Sequence, residues 1–166
     1  MNRRTFAMGV MVLLASTACD SVVPLANTRN SPEALATSVL DAIARGDRAA
    51  LEALALDEQE FRYHVWPDLP AARPERNLPF SYVWGDLHQK SEGALTGMLQ
   101  SHGGRKYTIR AVTFAGDTAY RSYSVRREAT FHVRDASGAE MDLRVSGSMI
   151  EKDGAWKVFS YVVDGD

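Results

Sequence analysis

The chain is poor in cysteine: of its 166 residues only Cys19 carries a thiol. One thiol closes no internal disulfide, so the fold has no covalent staple and must rest on its core. Long apolar runs are also missing. The longest, residues 6–15, is about ten residues, half of what a membrane-spanning helix needs. Nor does one sign of charge dominate, since 19 Lys and Arg stand against 21 Asp and Glu, a formal net charge of −2. That balance argues against a general nucleic-acid binder, which needs an excess of basic groups against phosphate. The histidines His64, His88, His102 and His132 form no closely spaced pair. Asp86 and His88, two apart on a helix, face different ways and cannot share an ion. No glycine-rich phosphate loop and no Gly-x-Ser-x-Gly elbow occurs. No metal and no cofactor is expected.

What is present suffices for one folded domain. Hydrophobic residues make up 45% of the chain and charged residues 24%, the balance of a folded chain rather than a disordered one. The first residues read as an address. Asn2-Arg3-Arg4 gives a charged start, residues 6–15 an apolar stretch, and Ala15-Ser16-Thr17-Ala18 a run of small residues, the layout of a secretory signal peptide. Cys19 follows at the expected cleavage point. Residues 1–19 resemble the signal of bacterial lipoproteins, in which the cysteine after a small residue is lipidated and becomes the new N-terminus. The resemblance implies a membrane as partner, an anchor on Cys19 and a periplasmic location. An ordinary signal with a chance cysteine is the alternative. Arg3-Arg4-Thr5-Phe6 also resembles a twin-arginine export signal, so both export routes stay open. Loss of residues 1–18 removes Arg3 and Arg4 and leaves 17 basic against 21 acidic residues, a net charge of −4. Residues 19–30, with Pro24 and no period, read as the lipidated cysteine and a tether, and residues 31–166 as the domain.

A helical half comes first. Ser31 is placed to cap a helix, with Pro32 at its first position and Glu33 complementing the dipole. Leu35, Ala36, Val39, Leu40 and Ile43 form one apolar stripe, and Gly46 closes the helix. Asp47 caps a second helix with Leu51, Leu54 and Leu56 inward. Asp57 and Glu60 form a capping-box pair that opens a third, stopped by Pro67. Residues 67–79 hold four prolines and read as a loop or crossing segment. Residues 81–102 form the longest helix, with Trp84, Leu87, Ser91, Leu95 and Met98 on one face. Gly85, Gly93 and Gly97 weaken it by roughly 1 kcal/mol each relative to Ala, and mark either close packing or a break near Gly93.

Residues 107–163 read as four strands in series. The first runs over 106–114, with a turn at Ala115-Gly116-Asp117, and the second over 118–134, with Tyr123, Val125, Ala129, Phe131 and Val133 on one face. Asp135-Ala136-Ser137-Gly138 makes a hairpin turn. The third strand carries Met141, Leu143, Val145 and Met149 inward. Residues 156–163 are apolar on both faces, as in a strand covered from both sides. The fold class that follows is α+β, with helices on the concave face of a curved, mainly antiparallel sheet of four or more strands.

Three helices, a longer helix and a curved meander ending in Asp153-Gly154-Ala155-Trp156-Lys157 resemble the nuclear transport factor 2-like superfamily. Gly46-Asp47 after the first helix is similar to that family's opening. The resemblance covers residues 31–163. It implies a cone-shaped, cystatin-like fold with a pocket between sheet and helices, and functions that range from cofactor-free isomerases and cyclases to binding and scaffold domains.

The isomerase type needs a carboxylate base and acidic donors in an apolar pocket, and Asp86, Glu140 and Asp142 all fall on polar sides of their elements. The candidate pocket residues are His88 and Arg127, with Tyr123, Trp66 and Trp84 as walls. His88 can act as acid or base, or sit inert at a helix–sheet boundary. Arg127 can hold an anion, or pair with an acid. The aromatics can equally be core filling. The first functional reading is a non-catalytic domain that binds a small apolar or amphipathic ligand, or a protein partner or second copy on the open sheet face. The alternative is a cofactor-free isomerase, cyclase or dehydratase with His88 as base and Arg127 as anion holder. A structural envelope protein with a filled cone is the third. An enclosed cavity lined by His88 and Arg127 together is the expected mark of the enzyme.

Overall fold

Helix α1 (Pro32–Arg45) begins where Ser31, in extended backbone, accepts a hydrogen bond from Ala34 N, and it ends at Gly46, whose left-handed φ of 63° lets the chain turn out. The computed structural model describes residues 23–163. The expected signal peptide, Cys19 and residues 20–22 and 164–166 lie outside the described residues.

Asp47 caps α2 (Arg48–Leu54), and the box between Asp57 and Glu60 caps α3 (Glu58–Glu60). The chain then widens into a π-helical turn, Phe61–Val65, and narrows into three 3₁₀ turns, Trp66–Asp68, Pro70–Ala72 and Pro74–Arg76. Each 3₁₀ turn has a proline among its first residues, where the missing N–H costs nothing, so the proline-bearing segment is a string of single turns rather than an extended loop. Helix α4 (Phe80–His102) is continuous. A Cβ at Gly85, Gly93 or Gly97 would meet nothing within 4 Å. These glycines mark neither a break nor a close packing contact.

The sheet has five strands, β1 (Tyr107–Ala119), β2 (Ser124–Asp135), β3 (Glu140–Leu143), β4 (Ser148–Lys152) and β5 (Ala155–Ser160), in the order β1-β2-β4-β5 with β3 also on β2. Every pairing within the sheet is antiparallel. The protein is thus α+β, with helices packed on an open antiparallel sheet.

Two strand readings need correction. No turn occurs at Ala115-Gly116-Asp117: β1 runs on to Ala119 and the turn comes at residues 120–123, closed by Tyr120 N donating to Tyr123 O at 2.8 Å. Gly116 makes room for a neighbour instead, since a Cβ there would lie 2.8 Å from the Arg127 guanidinium across the pair. The third strand is two. β3 pairs with the far half of β2 and β4 with its near half, and residues 144–147 step between them. Gly147 permits the step, for a Cβ there would sit 1.5 Å from Val162 O of the crossing C-terminal segment. Met141, expected inward, is exposed at the free edge of β3. The hairpin turns at Asp135 and at Lys152 are as expected. Asp153 and Gly154 both take positive φ (51° and 77°), the tight turn that matches strand twist.

The interior is two clusters. An aliphatic one joins Leu35, Val39 and Ile43 of α1, Leu51 of α2, and Leu95 and Met98 of α4 to Phe131, Val133, Met149 and Val158 of the sheet. It fills the space between α1 and the sheet. An aromatic one gathers Phe61, Val65, Tyr123, Val125 and Ile150, with Trp66, Phe80, Trp84, Leu87, Tyr120 and Phe159 packed against it. β5 divides them. Trp156 and Val158 face the first, Lys157 and Phe159 the second, so this strand is covered on both faces.

Residues 23–30 are not a free tether. Arg29 and Trp156 exchange backbone hydrogen bonds of 2.9 and 2.7 Å, and Leu56 N donates to Val158 O at 3.0 Å, so both points close the outer edge of β5. Ala26 is held at both ends of its peptide unit: its N–H donates to Glu60 Oε1 at 2.7 Å and its carbonyl accepts from Lys157 Nζ at 2.7 Å. The Val23 carbonyl meets His64 Nε2.

Candidate functional site

Helix α2 lies across α4 because Arg48 bridges them. Its guanidinium takes Glu52 on its own helix at 2.7 Å, and Glu92 and Thr96 of α4. Tyr161, just past β5, locks the same corner. Its buried hydroxyl donates to Leu51 O at 2.7 Å, its N–H donates to Ser91 Oγ of α4 at 3.0 Å, and burial pushes the phenol well above its ordinary range. These ties hold α2 and α4 apart at one end, where an open groove of about 440 Å³ remains. Its floor is apolar, built from Ala55, Leu56, Trp84, Leu87 and Phe159. Its rim is acidic, carrying Glu52, Asp57, Glu58 and Glu92.

Each carboxylate on the rim has a structural duty. Glu52 and Glu92 pair with Arg48, Glu58 pairs with Arg62 at 2.8 Å, and Asp57 caps α3 by accepting from Glu60 N at 2.8 Å. The volume falls within the range of small-molecule sites, and an apolar floor with polar groups at the margin is what such sites use to orient a ligand. Four acids against Arg48 and Arg62 leave the rim net negative.

His88 lines this groove, exposed, with its ring stacked on Trp84 at 5.2 Å and 16°. Trp84 is half-buried and packs on Phe61 at 5.3 Å. Trp66 stands edge-on to Phe80 at 5.5 Å in the same aromatic cluster. Tyr123 is buried; it donates to Val65 O at 3.3 Å and stacks on Tyr120 at 4.6 Å. Burial first, then Tyr120 and Asp68, push its phenol far up. These four therefore share one end of the molecule. Arg127 does not join them. It sits exposed on β2, its guanidinium over Gly116 of β1, and lines no part of the groove. No enclosed cavity brings His88 and Arg127 together among the described residues.

The acidic rim was missed by the sequence reading, because Glu52, Asp57, Glu58 and Glu92 look there like ordinary helix surface. Ser91, a polar residue on an otherwise apolar stripe, was the one visible hint. Another polar feature is the ion pair of Lys157 with Glu60 at 2.9 Å, exposed only 2% and 1%. Glu60 also accepts from Asp57 N at 3.0 Å, so the carboxylate is fully saturated and structural. Cys19 lies outside the described residues, no described helix is long and apolar enough to cross a membrane, and no three His, Cys, Asp or Glu among those residues are grouped to hold a metal.

The exposed rungs of β1, β2 and β3 are polar. His132 meets Asp142 at 2.6 Å and Thr113 at 2.9 Å, and Arg134 meets Glu140 at 2.8 Å. No family model matches the chain, and neither curated proteins nor solved structures yield a match.

Proposed function

We propose that the chain is an exported lipoprotein, held at the periplasmic face of a bacterial membrane by a lipid on Cys19, whose nuclear transport factor 2-like domain binds a small amphipathic ligand without transforming it. One observation carries the binding half: a groove with an apolar floor, an acidic rim and its acids already engaged. Trp84, Leu87 and Phe159 offer an apolar body its contact area, and the net negative rim favours a cationic head. Engaged carboxylates suit a site that attracts charge, and suit less well a site that moves protons, because their oxygens are already committed to Arg48, Arg62 and the Glu60 N–H. The groove is preferred over the sheet face as the place of binding, since the sheet's exposed rungs are internally paired ions rather than an apolar patch. For the anchor, the support is the order of charge, apolar stretch, small residues and Cys19.

The test is calorimetric titration with octylammonium, octanoate and octanol. Saturable binding of the cation is expected, weakened about tenfold or more by Trp84→Ala, which corresponds to about 1.4 kcal/mol, and little changed by Arg127→Ala. Absence of saturable binding by all three probes overturns the reading. A catalytic site at His88 would instead show as turnover abolished by His88→Ala with binding retained.

A further inference from the structure

We infer that the end of the domain bearing the π-helical turn, the proline-bearing turns and the start of α4 is a membrane-docking face, and that it lies flat on the bilayer that holds the Cys19 lipid. The inference rests on the lipidation reading above. Val23 is seated against His64, in a depression it shares with Arg62 and Tyr63. Only three residues separate Cys19 from Val23. Four Cα–Cα steps span at most about 14 Å, so an acyl chain on Cys19 brings this end of the domain to the lipid headgroups.

The surface found there suits that place. Four large hydrophobic side chains are exposed among the described residues, and Tyr63 (59%), Leu78 (41%) and Tyr82 (66%) belong to this end. Arg62 lies over the Phe80 ring at 3.6 Å and so joins the turn that carries Tyr63 to the helix start that carries Tyr82. Arg73 and Arg76 are exposed on the 3₁₀ turns between them. Tyrosines with a wet hydroxyl and an apolar ring, interleaved with arginines, match the interface of a bilayer containing anionic lipid. The acidic domain as a whole would be repelled by such a surface, so orientation has to come from a local face. Asp57 and Glu58 line both the Val23 depression and the ligand groove. Docked this way, the groove opens beside the membrane, within reach of an amphipathic molecule leaving it.

The experiment uses the full lipidated chain in vesicles of equimolar phosphatidylcholine and phosphatidylglycerol. A nitrobenzoxadiazole label is placed in turn at Tyr63→Cys, Tyr82→Cys and Ser137→Cys. Ser137 lies in the β2–β3 turn beside residues 104–107, past the far end of α4. The 23 residues of α4 put about 34 Å between the two ends. All three positions are exposed, so the labels leave the core intact. Emission at 63 and 82 is expected to shift to the blue and to be quenched by headgroup spin-labelled lipid severalfold more than at 137. Equal quenching at all three, on a chain whose Cys19 peptide carries lipid by mass spectrometry, overturns the docked face and leaves the anchor standing. A Cys19 peptide without lipid, with the chain in the aqueous phase, overturns both.

Discussion

The two cores solve one problem by different means. The aliphatic core is lined by regular elements, α1, α2, the second half of α4 and the sheet, whose backbone groups are satisfied within their own ladders. The aromatic core joins the first half of α4 and Val125, Ile150 and Phe159 of the sheet to a π-helical turn, 3₁₀ turns and the turn at residues 120–123, and these turns have few ladder bonds to offer. Side chains do the work there. Tyr123 holds Val65 O, Arg121 reaches Asp68 of a 3₁₀ turn at 2.8 Å, and the Glu60–Lys157 pair ties α3, β5 and Ala26 together. Irregular backbone can enclose a core when polar side chains replace the missing ladder, and large rings tolerate the looser geometry because each covers much area from few anchor points. The irregular end also carries the groove's aromatic floor and the proposed docking face.

The largest effect is expected from cutting that polar clamp. Lys157→Ala leaves the Glu60 carboxylate buried without its cation and should cost about 3–5 kcal/mol in urea unfolding. The joint change Glu60→Leu with Lys157→Met should recover only part of that loss, since it removes both desolvation costs but leaves the Ala26 N–H and carbonyl and the Asp57 N–H without these partners. Hydrogen exchange supplies the sharper reading. Amide protection at Ala26 and Asp57 should fall in the single variant well before protection at Phe131 and Val133. Loss at both cores together would mean that they unfold as one unit and that the clamp is no local device.

α4 spans both cores, with Gly93 between the Trp84–Leu87 end and the Leu95–Met98 end. A Cβ at Gly93 meets nothing within 4 Å and the backbone there is helical. Gly93→Ala should therefore stabilise the protein by up to about 1 kcal/mol. A loss of stability instead would show that flexure between the two halves of α4 matters to the fold.

The same contrast decides what the residues reveal in advance. Ser31, Pro32 and Gly46 mark α1, and Leu35, Val39 and Ile43 mark its buried stripe, because caps and a 3.6-residue period are local properties. Asp57 and Glu60 mark their capping box for the same reason, yet nothing local reveals that Glu60 also receives Lys157 from 97 residues away. Gly116 reads as a turn because glycine more often serves backbone freedom than a neighbour's bulk, and here the neighbour, Arg127, is set by strand register. Residues 23–30 read as a tether because an edge-capping segment held by two backbone bonds needs no period of its own. Periodicity puts Trp84 and Leu87 on an apolar face, where the groove lies, but the groove's acids come from α2, from α3 with its cap and from α4, elements brought together by contacts such as those of Arg48 and Tyr161.

The smallest effect belongs to the aliphatic end, at His102 in the last turn of α4. Its Nδ1 hydrogen-bonds the Tyr107 hydroxyl at 3.1 Å, joining the helix end to the start of β1. Burial, and then the nearby Arg105, hold its pKa below the ordinary 6.5. The folded state thus resists protonation more than the unfolded chain, which binds the extra proton first. Stability is full above about pH 6.5 and falls as the pH drops toward the lowered value, then levels off once both states are protonated. His102→Gln keeps a hydrogen-bonding side chain and does not titrate, so the urea midpoint of this variant should change less between pH 7.5 and pH 5.5 than that of the parent. Identical slopes would assign the acid sensitivity to other groups.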